Sequence, residues 1–211
     1  MCPAAARCRE PCHFRSHLLK AKSLNPDAIY INAGTSAGGA KALVQSYEVG
    51  IPDSVQRVMG SGASKQELPT LAGDAVVGVY YAAAFSPADD RPVARLFTRM
   101  IKDKYGVLPD HDFSQAWDLM QIVRTALENA DIKNTPDSLA ADRTAVRDEL
   151  AKIKNYQGLA AGPISFCADP TPQCRDGNTT PVLIQYTKGG KDFETRVLTT
   201  ITFPPDFEMG N

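Results

Sequence analysis

The chain has 211 residues, 43% hydrophobic and 22% charged, the balance of an ordinary globular protein with room for one large domain or two small lobes. Lys plus Arg number 23 and Asp plus Glu 24, so the net charge is -1 and a nucleic-acid partner has no electrostatic support. No apolar run approaches the roughly 20 residues that cross a bilayer; the longest candidate, 75–85, reads as a buried strand.

Leu18, Leu19 and Leu24 mark a short amphipathic helix that stops at Asn25-Pro26. Proline cannot continue a helix, and it pushes the residue before it toward extended geometry. Residues 27–32 form a short apolar strand, and 33–39 a Gly/Ser/Thr loop. Ala40, Leu43, Val44 and Tyr47 recur at helical spacing, with Gly50 as the stop. Residues 55–59 are a second strand, followed by the loop 60–64. Leu68, Leu71, Ala72 and Ala75 give a third helix, and 76–84 a third strand. Strands apolar on both faces, alternating with helices, predict an α/β fold with a parallel sheet covered on each side. Such a three-layer αβα lobe would span about residues 14–108. Its last helix holds Val93, Leu96, Phe97 and Met100 and is closed by Tyr105-Gly106.

The pattern changes after Pro109, and residues 109–211 read as a partial second lobe. Phe113, Ala116, Trp117, Met120, Val123 and Leu127 define a long helix with this face buried. Thr135-Pro136 is a helix start, Thr as cap and Pro at the first helical position. Val146, Leu150 and Ile153 mark a further helix with a solvated charged face. Strands follow at 163–166, 182–187 and 192–198, the last two joined by Lys188-Gly-Gly-Lys191 as a hairpin.

The chain has five cysteines. Cys167 and Cys174 flank a Pro-rich loop and are expected to pair in an oxidising compartment. The start, 1–13, holds Cys2, Cys8 and Cys12, has no apolar core of a secretion signal, and is expected to be disordered. Cys8, Cys12, His13 and His17 do not have a standard zinc spacing, so neither a metal nor a cofactor is expected.

Three segments in order, 25–31 (NPDAIYI), 38–45 (GGAKALVQ) and 71–85 (LAGDAVVGVYYAAAF), resemble the second lobe of type I periplasmic substrate-binding proteins. The relevant branch is that of the branched-chain amino acid (Leu/Ile/Val) ABC transporters. Residues 112–127 resemble the helix by which such chains return to the first lobe. Residues 153–166 and the closing hairpin at 186–193 are similar to its later segments, so the likeness runs from about 14 to 207. The resemblance implies a periplasmic solute-binding component of an ABC importer. It captures an amino acid, amide or related acid in a cleft between lobes and hands it to permease subunits, without catalysis. The family's first half-lobe has no counterpart here, so the chain is expected to be N-terminally truncated. Helices at 112–130 and 142–155 should then expose apolar faces and favour self-association.

Loops after strands in an α/β sheet open where ligands bind. Gly34 and Thr35 lead into a helix whose first N–H groups suit an anion, and Ser36 stands beside them. Ser61 and Gly62 follow the next strand. Branched-chain amino acid binders resemble this segment but carry an acid there for the ligand's ammonium. Its absence here favours a neutral or purely anionic ligand. Asp112, at the start of the returning helix, completes the ligand-facing candidates. Residues 34–38 also match G-x-S-x-G, a nucleophile elbow with Ser36 as nucleophile. With Asp176-Gly177 it resembles the Ser–Asp pair of patatin-like lipases, although their glycine-rich oxyanion loop is missing. Only His111 follows Ser36 as a base, with Asp89 or Asp103 as orienters. A phosphate-binding P-loop is excluded at 34–41, because the G-K-S/T ending is absent. A serine hydrolase and a fragment that binds nothing are therefore the alternatives.

Overall fold

The computed structural model describes residues 14–166, 177 and 180–201. The chain runs α1 (Arg15–Ser23), β1 (Ala28–Ile31), α2 (Ser36–Glu48), β2 (Gln56–Met59), a 3-10 turn (Ser61–Ser64), α3 (Glu67–Ala72), a second 3-10 turn (Gly73–Val76) and β3 (Tyr80–Ala83). It continues through α4 (Pro92–Tyr105), α5 (His111–Asn129), a 3-10 turn (Pro136–Ser138), α6 (Leu139–Lys152), β4 (Val182–Lys188) and β5 (Glu194–Thr200). The strands form one sheet in the order β1-β2-β3-β4-β5, with β1, β2 and β3 parallel. β4 and β5 are neighbours joined by residues 189–193, too short a link for a crossover, so they form the expected antiparallel hairpin. No helix among the described residues is long and apolar enough to cross a membrane.

Packing groups the described residues into two units, 14–81 with 185–196, and 82–184 with 197–201. In the first, α2 packs against α1, α3 and β1. Ile29, Ile31, Met59, Leu43 and Leu68 supply its core. The strands alternate rather than being buried on both faces: Ala28 and Gln56 are exposed, and Tyr30 is 64% exposed. The expected strand at 76–84 starts later, because Val76 closes a 3-10 turn and Gly78, at φ 83°, redirects the chain before β3. Asn25, expected to be extended before Pro26, is instead left-handed at φ 47°, a conformation asparagine tolerates.

α4 belongs to the second unit, although the sequence pattern groups it with the first lobe. Phe97 and Ile101 pack with Phe85, Ala94 and Leu159 in one cluster. α5 also turns a different face inward. Ser114, Asp118, Ile122 and Ala126 are buried, while Phe113, Trp117, Met120 and Leu127 are 40–64% exposed. The cause is Asp118, whose carboxylate accepts hydrogen bonds from the Leu159 and Ala160 N–H groups and fixes the helix rotation. The expected strand at 163–166 is reduced to a single antiparallel bridge between Tyr156 and Ile164.

The start of α6 is held by a carboxylate. Asp142 accepts from the Ser138 hydroxyl at 2.7 Å and from the N–H groups of Lys133 and Asn134 at 3.2 and 2.9 Å. These bonds, led by that from Ser138, hold its pKa below the usual carboxylate value. A depressed folded pKa stabilises above the ordinary value of about 4, and the contribution disappears as pH falls through the depressed one. Amide exchange at Lys133 and Asn134 should therefore stay protected down to about pH 4 and accelerate only below it. Asp142→Ala should abolish that protection at neutral pH.

Candidate functional site

β1 and β2 are adjacent and parallel, with Ile31 opposite Met59, so the segments that follow them leave the sheet at the same end. The first passes Gly34, whose φ of 72° suits a residue without a side chain, and enters α2 through Thr35. Thr35 is an extended N-cap whose Oγ1 accepts the Gly38 N–H at 3.0 Å. Its carbonyl accepts the Gly39 N–H at 2.8 Å, the first bond of the helix. The N–H groups of Ser36 and Ala37 are left without intrahelical acceptors, as in any first helical turn. The second segment is the 3-10 turn at Ser61–Ser64, closed by the Ala63 N–H on the Gly60 carbonyl at 3.0 Å.

One hydrogen bond ties the two segments together. The Ser36 hydroxyl donates to the Gly62 carbonyl at 3.2 Å. Gly34, Thr35, Ser36, Ser61 and Gly62 are thus gathered into one patch, with Gly34, Thr35, Ser61 and Gly62 exposed and Ser36 buried beneath them. Asp112 is a residue of the second unit. It occupies the first turn of α5, half exposed, with its carboxylate 2.9 Å from His111 Nε2.

Sequence reading missed the floor of this patch. Tyr186, on β4, is 1% exposed and donates its hydroxyl to the Ala63 carbonyl. Its ring packs against Tyr81 at 5.2 Å and Phe193 at 6.0 Å between centroids. Burial raises the phenol's pKa far above the usual range, so it is a fixed donor at any working pH. Its alternation with buried Val182 and Ile184 is visible in the sequence, but its partner lies more than a hundred residues earlier. Tyr186→Phe would leave the Ala63 carbonyl without a donor. It should cost about 1–2 kcal/mol in a denaturant melt and speed amide exchange at Ala63.

Ser36 does not have the geometry of a nucleophile elbow. Its hydroxyl is committed to a backbone carbonyl, and the residue is 6% exposed. An elbow holds its serine in a strained turn, whereas the left-handed non-glycine residues among the described residues are Asn25, Asn134 and Asn155. His111, the expected base, is paired with Asp112 on α5. Asp89 binds Arg91 at 2.7 Å. Cys167, Cys174 and Asp176 lie outside the described residues, as do Cys8, Cys12 and His13; His17 is an exposed residue of α1.

The sequence pattern of the periplasmic binding proteins matches residues 13–180. The chain belongs to that family. Among solved structures, a leucine-binding protein from Thermotoga maritima is 27% identical with a TM-score of 0.71, over 95% of this chain and 51% of its own. A branched-chain amino acid ABC transporter protein from Rhodospirillum rubrum is 24% identical, TM-score 0.63, over 93% of this chain and 50% of its own. A solute-binding protein from Rhodopseudomonas palustris, solved with benzoate, shares the fold at 19% identity and a TM-score of 0.67, over 89% and 46%. The chain therefore spans about half the length of these structures. No curated protein sequence matches it. These neighbours share the mixed α/β fold of type I periplasmic binding proteins with helices flanking the sheet.

Proposed function

We propose that this chain is the solute-binding component of an ABC importer, holding a small polar or carboxylated solute against the turns at Gly34–Thr35 and Ser61–Gly62. The observation that carries the reading is the Ser36–Gly62 hydrogen bond, which joins two exposed turns at one end of adjacent parallel strands. Open ends of that kind are where α/β sheets bind ligands. The names of the similar proteins support the same class: one binds leucine, another was solved with benzoate. By family the chain works in the periplasm, and its macromolecular partners are the permease subunits of the transporter.

Titrating a panel of amino acids, amides and aromatic acids while following thermal unfolding tests the reading. A ligand that binds only the folded chain raises the midpoint with concentration. A flat response across the whole panel would reject solute binding in favour of an inert fragment. A fluorophosphonate probe should leave Ser36 unmodified; stoichiometric labelling there would instead establish a hydrolase. The exposed Phe113, Trp117, Met120 and Leu127 on α5 support self-association of the chain. Light scattering should report species above 22.8 kDa, and a monodisperse monomer would contradict it.

A further inference from the structure

We propose that Tyr186 is a positioning residue for solute binding: from the hairpin strand β4, its hydroxyl holds the turn Ser61–Ser64 in the place where a solute meets it. The inference rests on the solute-binding reading above. The turn has little of its own to fix it. It is a 3-10 turn of four residues, closed by the Ala63 N–H on the Gly60 carbonyl, and such turns have poorer hydrogen-bond geometry than α-helices. Ser61 and Gly62, the pair assigned to the solute, are exposed and bury no side chain. Two successive carbonyls are tied from outside instead, that of Gly62 by Ser36 at the start of α2 and that of Ala63 by Tyr186.

Tyr186 can bear on the turn because its own place is set by other contacts, all within the first unit. Its N–H donates to the Val79 carbonyl at 3.1 Å, and its carbonyl accepts the Gly78 N–H at 2.9 Å. At the tip of the hairpin the Gly190 N–H donates to the Pro69 carbonyl at 3.0 Å, and Gly189 lies so close to the Gly73 carbonyl that no side chain fits between them. A phenylalanine would fill the same space against Tyr81 and Phe193, so ring packing does not account for the hydroxyl. A phenol oxygen in a residue only 1% exposed is costly unless hydrogen-bonded, and the proton of this one goes to the turn. Without it the Ala63 carbonyl is released, and Ser61 and Gly62 can shift away from Thr35. A site that must be ordered as it binds loses affinity relative to one already in place.

Calorimetric titration of the full chain tests this, with leucine, benzoate and the wider panel of amides and aromatic acids as probes, well below every melting midpoint. For each probe that wild type binds, Tyr186→Phe should weaken binding about threefold or more. Ile51→Val is the control. It trims the core of the same unit in the link that precedes β2, whereas the turn follows β2, so it should lower the midpoint and leave affinity unchanged. Amide exchange at Ala63, without any probe, should quicken in Tyr186→Phe and not in Ile51→Val. Wild-type affinity in Tyr186→Phe would overturn the inference and leave solute binding standing. Equal weakening in both variants would overturn it too, because general destabilisation would then be the cause. So would weakening with Ala63 exchange unchanged, since the hydroxyl would not be acting through the turn. Heat from no probe in wild type would overturn both the inference and the solute-binding reading.

Discussion

Asp118→Ala should lower the stability of the second unit by about 3–5 kcal/mol, and with it the melting midpoint by about 10 °C. The residue is 1% exposed, and both carboxylate oxygens accept hydrogen bonds: the Leu159 N–H at 2.8 and 3.0 Å, and the Ala160 N–H at 2.9 Å. Those N–H groups are buried and have no other acceptor among the described residues, so alanine would orphan both and leave a hole beside them. The same two residues are held from their carbonyl side. Arg91 donates to the Leu159 carbonyl at 2.6 Å and to that of Ala160 at 3.0 Å, and Asp89 fixes the guanidinium at 2.7 Å. A segment with no regular structure is thus gripped by opposite charges on its two polar edges.

Two companion variants separate this account from a simple packing defect. Asp118→Asn keeps the shape and one acceptor oxygen but turns an NH2 group toward a backbone donor, so it should fall between wild type and alanine. Gly158→Ala should be severe in the wild type, because a Cβ there would collide with the Asp118 carboxylate. Combined with Asp118→Ala it should cost much less than the sum of the two, since contacting residues are not additive. Calorimetric melts of the four proteins suffice. An Asp118→Ala midpoint within about 2 °C of wild type would remove the clamp from the account of stability.

The parts of this chain that sequence reading located are those governed by local rules. Gly50 and Gly106 end helices because their left-handed φ values, 73° and 71°, suit no branched side chain, and both stops were visible as glycines after apolar periodic runs. The proximity of the turns at Thr35 and Ser61 was also legible, because parallel neighbouring strands must release their loops at the same end. The Ser36–Gly62 bond within that patch was not, since a serine in G-x-S-x-G reads equally well as a nucleophile or a tie. α5 misled for a related reason. Phe113, Trp117 and Met120 have helical spacing and large apolar areas, and nothing near Asp118 shows that Leu159 and Ala160 will need an acceptor. Periodicity counts apolar surface, whereas the rotation of this helix is set by a polar group whose partners come forty residues later.

Arg57 has the second large expected effect, and again a buried charge is the cause. It lies on β2 between exposed Gln56 and half-buried Val58, and is 3% exposed itself. Its guanidinium donates from Nη2 to the Ile51 carbonyl at 2.9 Å, from Nη1 to those of Val55 and Pro52 at 2.9 and 3.2 Å, and from Nε to Ser46 Oγ at 3.0 Å. The plane also sits over the Tyr47 ring at 3.7 Å. Burial lowers its pKa from the usual value, while Tyr47 and Asp53 act in the opposite direction. Among the described residues no carboxylate is hydrogen-bonded to it; its acceptors are the Ser46 hydroxyl and three carbonyls of the link that joins α2 to β2, those of buried Ile51 and Val55 and that of exposed Pro52, which also accepts the Val55 N–H. Arg57→Met preserves the stem and should cost about 3–5 kcal/mol, because it strands the buried carbonyls of Ile51 and Val55 together. Arg57→Lys should recover less than half of that, since one ammonium cannot reach acceptors spread around a planar fork. Urea melts measure both. A lysine variant as stable as wild type would show that charge alone, and not the fork, holds the link in place.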